Sequence, residues 1–210
     1  MAVTLREKAY NQIRNLILTG ALKQGEFISE RILVENLGMS RTPIRSAIER
    51  LEVEGLVKHS PNRGLIVAEI SINKAVDIYD VRKALEAHVV RRLSEYTLTQ
   101  EEIDWFSANL SLQQKYVEEN EVEKFSEKDY EFHNKLIEVY GNSEIIQIMS
   151  KLQDKLYLIA VNVLRKDPKR IIVSYDDHFA IFDYIQKGQG DDAAQRIIDH
   201  LEFGKRILIS

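Results

Sequence analysis

The chain has 210 residues, 44% of them hydrophobic and 30% charged, with a net charge of −4 and no cysteine. That length suits one large or two average domains with the composition of a soluble globular protein, and it excludes a disulfide-stapled scaffold. No run nears the roughly 20 apolar residues of a membrane span, and the charges in MAVTLREKAY interrupt the apolar core that a signal peptide needs, so a cytoplasmic location is expected.

The charge is unevenly spread. Residues 1–70 hold 10 Lys/Arg against 8 Asp/Glu, whereas residues 71–210 hold 19 against 25. Local placement rather than global sign steers an encounter with DNA, and the basic excess lies at the front of the chain.

Thr4 and Glu7 form a capping-box pattern that opens a helix, with Ala9, Ile13, Leu16 and Ile17 as one apolar stripe and Gly20 as its end. Residues 21–27 read as a loop. Ser29 caps a second helix, in which Ile32, Leu33 and Leu37 recur at helical spacing before Gly38 stops it. A tight turn at Met39-Ser40-Arg41 leads to Thr42, the expected N-cap of a third helix. Pro43 then takes the first helical position, where its missing N–H costs nothing. That helix buries Ile44, Ala47, Ile48 and Leu51, and it leaves Arg41 and Arg45 about one turn apart on the other side. Gly55 ends it. Leu56 to His59 reads as a strand, Pro61-Asn62-Arg63-Gly64 as a turn, and Leu65 to Val67 as the return strand. Helix, turn, helix and β-wing together predict a recognition helix lying in a DNA major groove.

These residues also resemble a known family. Ser29-Glu30-Arg31, Ser40-Arg41-Thr42-Pro43, Arg45, Glu54-Gly55-Leu56-Val57 and Pro61-Asn62-Arg63-Gly64 resemble, in order and interval, the DNA-binding domain of GntR-type bacterial transcription regulators. Ser46 departs from that pattern, since relatives usually carry Glu there. The expected partner is a palindromic double-stranded operator bound by a homodimer, because one head offers too small a footprint for selective binding. Arg41 and Arg45 are expected at base edges, with guanine the candidate base, and Arg31 and Thr42 at phosphate or base nearby. The wing turn, Asn62, Arg63 and Gly64, is expected along the minor groove or backbone. His59 in the wing is a candidate phosphate contact.

From Ile72 onward the apolar period is helical throughout. Helices are predicted near 72–94, 100–119, 121–140, 143–166, 174–187 and 190–208. The breaks fall at a second capping box (Thr99, Glu102), Gly141-Asn142, Asp167-Pro168, and Gly188 with Gly190. Six helices with short connections make an antiparallel bundle. Behind a GntR-type head, this half resembles the FadR-like effector domain of FCD type in its shorter, six-helix form. The fold class is therefore mainly α: a winged helix-turn-helix over residues 1–70, then an all-helical effector-binding and dimerisation domain over residues 71–210.

Five histidines occur, at 59, 88, 133, 178 and 200. Asp129 and His133 stand four apart and so project from one helix face. Taken singly, such a pair reads as a surface or capping pair, and His178 and His200 as hydrogen-bonded core groups. Three imidazoles and a carboxylate from three helices suit a borderline divalent ion such as zinc, nickel or cobalt. The family resemblance implies that Asp129, His133, His178 and His200 are metal ligands. His88 has no place in that pattern. Arg82 recurs with Ala75, Ile78, Leu85 and Val89 in an apolar stripe, and a buried guanidinium needs an anion. That anion is either a neighbouring Asp or Glu, or the carboxylate of a small organic acid effector, which the resemblance implies. The chain is thus read as a ligand-responsive regulator, with repression as its expected action, rather than an enzyme. A metal-dependent hydrolase using the Asp/His site is the alternative.

Overall fold

The computed structural model describes residues 4–60 and 64–210, so Pro61, Asn62 and Arg63, including two of the expected wing contacts, lie outside the described residues. The chain divides into two compact units, Met1–Ile70 and Ser71–Ser210. Among the described residues, no helix is long and apolar enough to cross a membrane.

The first unit holds α1 (Leu5–Leu18), β1 (Phe27–Ile28), α2 (Glu30–Leu37), α3 (Arg41–Glu54), β2 (Val57–Ser60) and β3 (Gly64–Val67). Thr4 accepts a hydrogen bond from the Glu7 amide and opens α1, while the Glu7 carboxylate pairs with Arg50 instead of closing the capping box. Ser29 caps α2 through the Ile32 amide, and Gly38 closes it in the left-handed region. α1 packs on α3 around Ala9, Ile13, Ile17, Ile44, Ala47 and Leu51.

Three expectations are corrected here. Ser40, not Thr42, is the N-cap of α3, and its side chain makes no capping bond. Pro43 is therefore the third helical residue. It is still harmless there, because the first helical amides have no intrahelical acceptor. The sheet also has a third strand: β1, in the segment read as a loop, pairs antiparallel with β3 (Phe27 opposite Ile66, Ile28 opposite Leu65) in the order β1-β3-β2. Two residues are too few to display alternation. Of the apolar residues of α2, Leu33 is buried and Ile32 is exposed.

The second unit comprises α4 (Ile72–Leu93), α5 (Gln100–Glu118), α6 (Val122–Tyr140), α7 (Ser143–Lys166), α8 (Arg170–Gln186) and α9 (Gly190–Ile209). The Thr99/Glu102 capping box forms in full. α4 lies along α9, α9 along α8, α5 along α6, and α6 along α7. Phe106, Phe125, Phe132, Leu93, Leu136 and Ile181 are the large fully buried side chains of this core. α8 begins at Arg170, four residues before the expected start. Pro168 stops α7, but it cannot stop a helix that begins two residues after it.

The α4–α9 contact is close enough to need a glycine. A β-carbon on Gly204 of α9 would sit 2.8 Å from the Tyr79 hydroxyl, and the Tyr79 ring is buried. Gly204→Ala is expected to destabilise the second unit: overpacking costs about 1–3 kcal/mol, against a gain of about 1 kcal/mol in helix propensity. In a Tyr79→Phe background, where the clashing oxygen is gone, the same substitution should be neutral or stabilising. Denaturant unfolding followed through Trp105, the single tryptophan, reports this unit, and an additive double-mutant cycle would refute the contact.

Candidate metal centre

Asp129 and His133 lie one turn apart on α6, His178 is in the middle of α8, and His200 is on α9. All four are buried, and one ligand atom from each lies within 4.8 Å of all the others. His133 Nε2 and His178 Nε2 are 3.2 Å apart, and His178 Nε2 is 3.5 Å from Asp129 Oδ1. Two nitrogens each about 2.0–2.1 Å from one ion stand about 2.8–3.4 Å apart at octahedral or tetrahedral angles. The spacing therefore fits a shared ion.

The reason the nitrogens converge lies one layer further out. Each imidazole has its Nδ1 held by polar side chains of a neighbouring helix. His133 Nδ1 donates to Glu86 Oε2 of α4 at 2.6 Å. His200 Nδ1 is held between Asp177 Oδ2 of α8 and Arg170 Nη2, at 3.0 Å from each. His178 Nδ1 donates to Gln113 Oε1 of α5 at 2.7 Å. The Gln113 amide is itself oriented, since its nitrogen donates to Asn109 Oδ1 and the Asn109 amide donates to the Lys128 carbonyl. For His133 and His178, fixing the proton on Nδ1 leaves the Nε2 lone pair free for an ion. Phe132 sets the plane of the His178 ring, stacked at 4.5 Å between centroids.

The electrostatics agree with that use. Burial, with nearby cations contributing, holds all three imidazoles well below the ordinary histidine range. They are neutral, which is the ligating form. Burial raises the Asp129 carboxyl to about 6, with Arg82 and Arg170 pulling the other way. The donor set of three nitrogens and one oxygen fits a borderline divalent ion, and an ion that takes five or six donors would have room for a ligand oxygen as well.

Arg82 is buried as expected, and both readings of its anion meet at one place. Its Nε donates to Glu86 Oε1, so Glu86 accepts from Arg82 with one oxygen and from His133 with the other. Burial pushes the Glu86 carboxyl upward while Arg82 opposes it. A small cavity of about 20 Å³ is lined by Arg82, Asp129, Tyr79, Arg170, Ser174 and His200, among others. A second, of about 10 Å³, touches Arg82, Asp129, Glu86 and His133.

Sequence reasoning did not find Glu86, Gln113, Asp177 or Arg170. Glu86 carried a signal, standing four residues after Arg82 on the same helix. Asp177 and Arg170 are two helical turns apart, but that spacing is visible only once α8 is known to start at Arg170. Nothing marked Gln113. His88 is exposed, with Nε2 3.0 Å from the Tyr140 hydroxyl and no part in the cluster.

In the first unit, Arg31, Arg41, Thr42, Arg45 and Gly64 are exposed. Arg41 and Arg45 occupy the first and fifth positions of α3. Arg45 Nε pairs with Glu30 Oε2 at 2.9 Å, which raises the Arg45 pKa further, and Arg31 pairs with Glu35. His59 Nδ1 lies 3.0 Å from Glu52 Oε1, so the wing histidine already has a carboxylate partner.

Two family models match the chain. "Bacterial regulatory proteins, gntR family" covers residues 5–67 and "FCD domain" covers residues 77–203. The chain is 26% identical over 195 residues to the HTH-type transcriptional regulator YdhC of Bacillus subtilis, covering 91% of this chain and 85% of that one. It is 27% identical over 193 residues to the gluconate operon transcriptional repressor of Bacillus subtilis, covering 89% and 76%. Its fold is similar to that of a GntR transcriptional regulator from Rhodococcus sp. RHA1, with a TM-score of 0.84, 20% identity and 97% of both chains covered. A winged helix-turn-helix with exposed arginines, an all-helical second unit and both family matches lead to one conclusion: the chain belongs to the GntR family of bacterial DNA-binding transcription regulators and carries an FCD domain.

Proposed function

We propose that this regulator is a homodimeric repressor released from a palindromic operator by a small organic acid, which it senses beside a divalent ion held by Asp129, His133, His178 and His200. The observation that carries the sensing half is the tethering of all three Nδ1 atoms, which turns three Nε2 atoms and one carboxylate toward one point. Zinc or nickel suits that donor set, and when bound it supplies a Lewis-acidic position for a carboxylate oxygen.

The chain's own residues do the rest. Arg82, braced by Glu86, presents its guanidinium to the cavity beside Asp129 and receives the acid's carboxylate. The cavity has room for about one water, so an acid enters only as its walls move. A ligand that must reshape the bundle favours whichever state already has the wider cavity. If that state is the one that does not hold DNA, release follows with a coupling of about 1–3 kcal/mol. The hydrolase alternative lacks a free base: Glu86 is engaged by Arg82 and His133, and Asp177 by Arg170, Arg196 and His200.

Two measurements test this reading. Zinc or nickel at about 100 times its dissociation constant should stabilise the second unit by about 2.7 kcal/mol, and chelation should reverse the gain. No stabilisation by either ion would remove the metal centre. Titrating organic acids into the metal-loaded protein–operator complex, followed by fluorescence anisotropy, should weaken DNA binding. Unchanged DNA affinity with every acid would remove the sensing role.

A further inference from the structure

Arg170 is an unusual residue to find where it is. It is 2% exposed, at the first turn of α8, and lines the same cavity as Arg82 and Asp129. One guanidinium nitrogen, Nη2, donates to Asp177 Oδ2 at 3.1 Å and to the His200 carbonyl at 3.1 Å, and lies 3.0 Å from His200 Nδ1. The other, Nη1, is buried with no hydrogen-bond partner. The guanidinium also packs over the Phe203 ring at 4.5 Å, which fixes its plane. A buried, unpaired donor on a charged group is costly, and a fold keeps one where a ligand completes it. Asp177 does not complete it, because that carboxylate also receives His200 and lies 3.1 Å from Arg196 Nε through its other oxygen.

The charges around the cavity point the same way. Arg82 and Arg170 stand among Asp129, Glu86 and Asp177, while Arg196 pairs with Asp177 from a side chain that is 42% exposed. A divalent ion on the Asp129/His cluster would add two positive charges to that interior and so favour an anionic ligand. We infer that the effector is a small dicarboxylate, with one carboxylate at the ion and Arg82 and the second received by Arg170 Nη1, the Ser174 hydroxyl and the Tyr79 phenol lining the same cavity. Arg170 is then the residue that separates diacids from monoacids. This inference rests on the acid-sensing reading given above.

The test uses the zinc-loaded full-length protein and calorimetric titration with malonate, succinate and glutarate, each paired with its own monoamide. Within a pair the two ligands differ in one carboxylate alone. At least one diacid should bind roughly tenfold or more tightly than its monoamide. Arg170→Gln, with zinc content checked by mass spectrometry, should bring that ratio near one while leaving the monoamide's affinity almost unchanged. Where Arg170→Gln does not fold or loses zinc, Arg170→Lys keeps the charge but not the fork, and should reduce the ratio several-fold. Equal binding within every pair, or a ratio that neither variant alters, overturns the inference and leaves acid sensing standing. If neither diacids nor monoamides bind, acid sensing itself fails, and this inference with it.

Discussion

Glu86→Ala should cost the second unit about 3–5 kcal/mol, the range expected when one partner of a buried ion pair is removed. Arg82 would be left at 6% exposure with its nearest carboxylate gone. The same substitution releases the His133 Nδ1 proton from its acceptor, so the ring can turn and its tautomer is no longer set. Loss of such an outer partner lowers metal affinity about 10–100-fold. Glu86→Gln separates the two effects. One amide oxygen can still accept from either Arg82 or His133, but the amide nitrogen faces the other donor, and the counter-charge is lost. Intermediate stability and intermediate zinc affinity are expected for it. Urea unfolding of the metal-free full-length chain through Trp105, followed by zinc competition with a chelator, measures both quantities. Glu86→Ala with wild-type stability and wild-type zinc affinity would refute the role assigned to this carboxylate.

Much of this molecule can be read from its sequence because its helices are delimited by local chemistry. Ser29, Thr99, Gly38 and Gly141 act within one turn of their own positions, so a window of a few residues reveals them. The cluster of Asp129, His133, His178 and His200 was legible as residue types, helped by a family resemblance. Their being brought together depends on helix packing that no local pattern encodes. What stayed hidden is the layer that holds the cluster in register. Gln113 and Asp177 are polar residues whose importance comes from facing a histidine 65 or 23 positions away. The Pro168 break drew the start of α8 too far along and left Arg170 in an apparent loop, where an arginine means little. β1 was invisible for a different reason: two residues gain their pairing from β3 and not from their own propensity.

In the first unit, Arg45→Ala should cost most of the operator selectivity while the melting temperature stays near wild type. Arg41 at the first position of α3 and Arg45 one turn later share an exposed face at the N-terminal end of the helix expected to enter the major groove. A bidentate arginine–guanine contact is worth roughly ten- to a hundredfold in discrimination against another base. The pair Arg45 makes with Glu30 is exposed, so its loss should scarcely affect folding. Arg41→Ala should behave alike, and because Arg41 has no ion pair among the described residues, its effect should be free of any change at Glu30. The reference site can be obtained by selecting bound duplexes from a random pool with the full-length protein. Anisotropy titrations on that site and on a scrambled duplex, at several salt concentrations, then give both selectivity and salt dependence. A base-reading arginine lowers affinity for the selected site and leaves the scrambled duplex nearly untouched. A phosphate contact lowers both alike and flattens the salt dependence by about one ion. If Arg45→Ala and Arg41→Ala both follow the second pattern, α3 positions the head on DNA without reading its sequence through these two side chains.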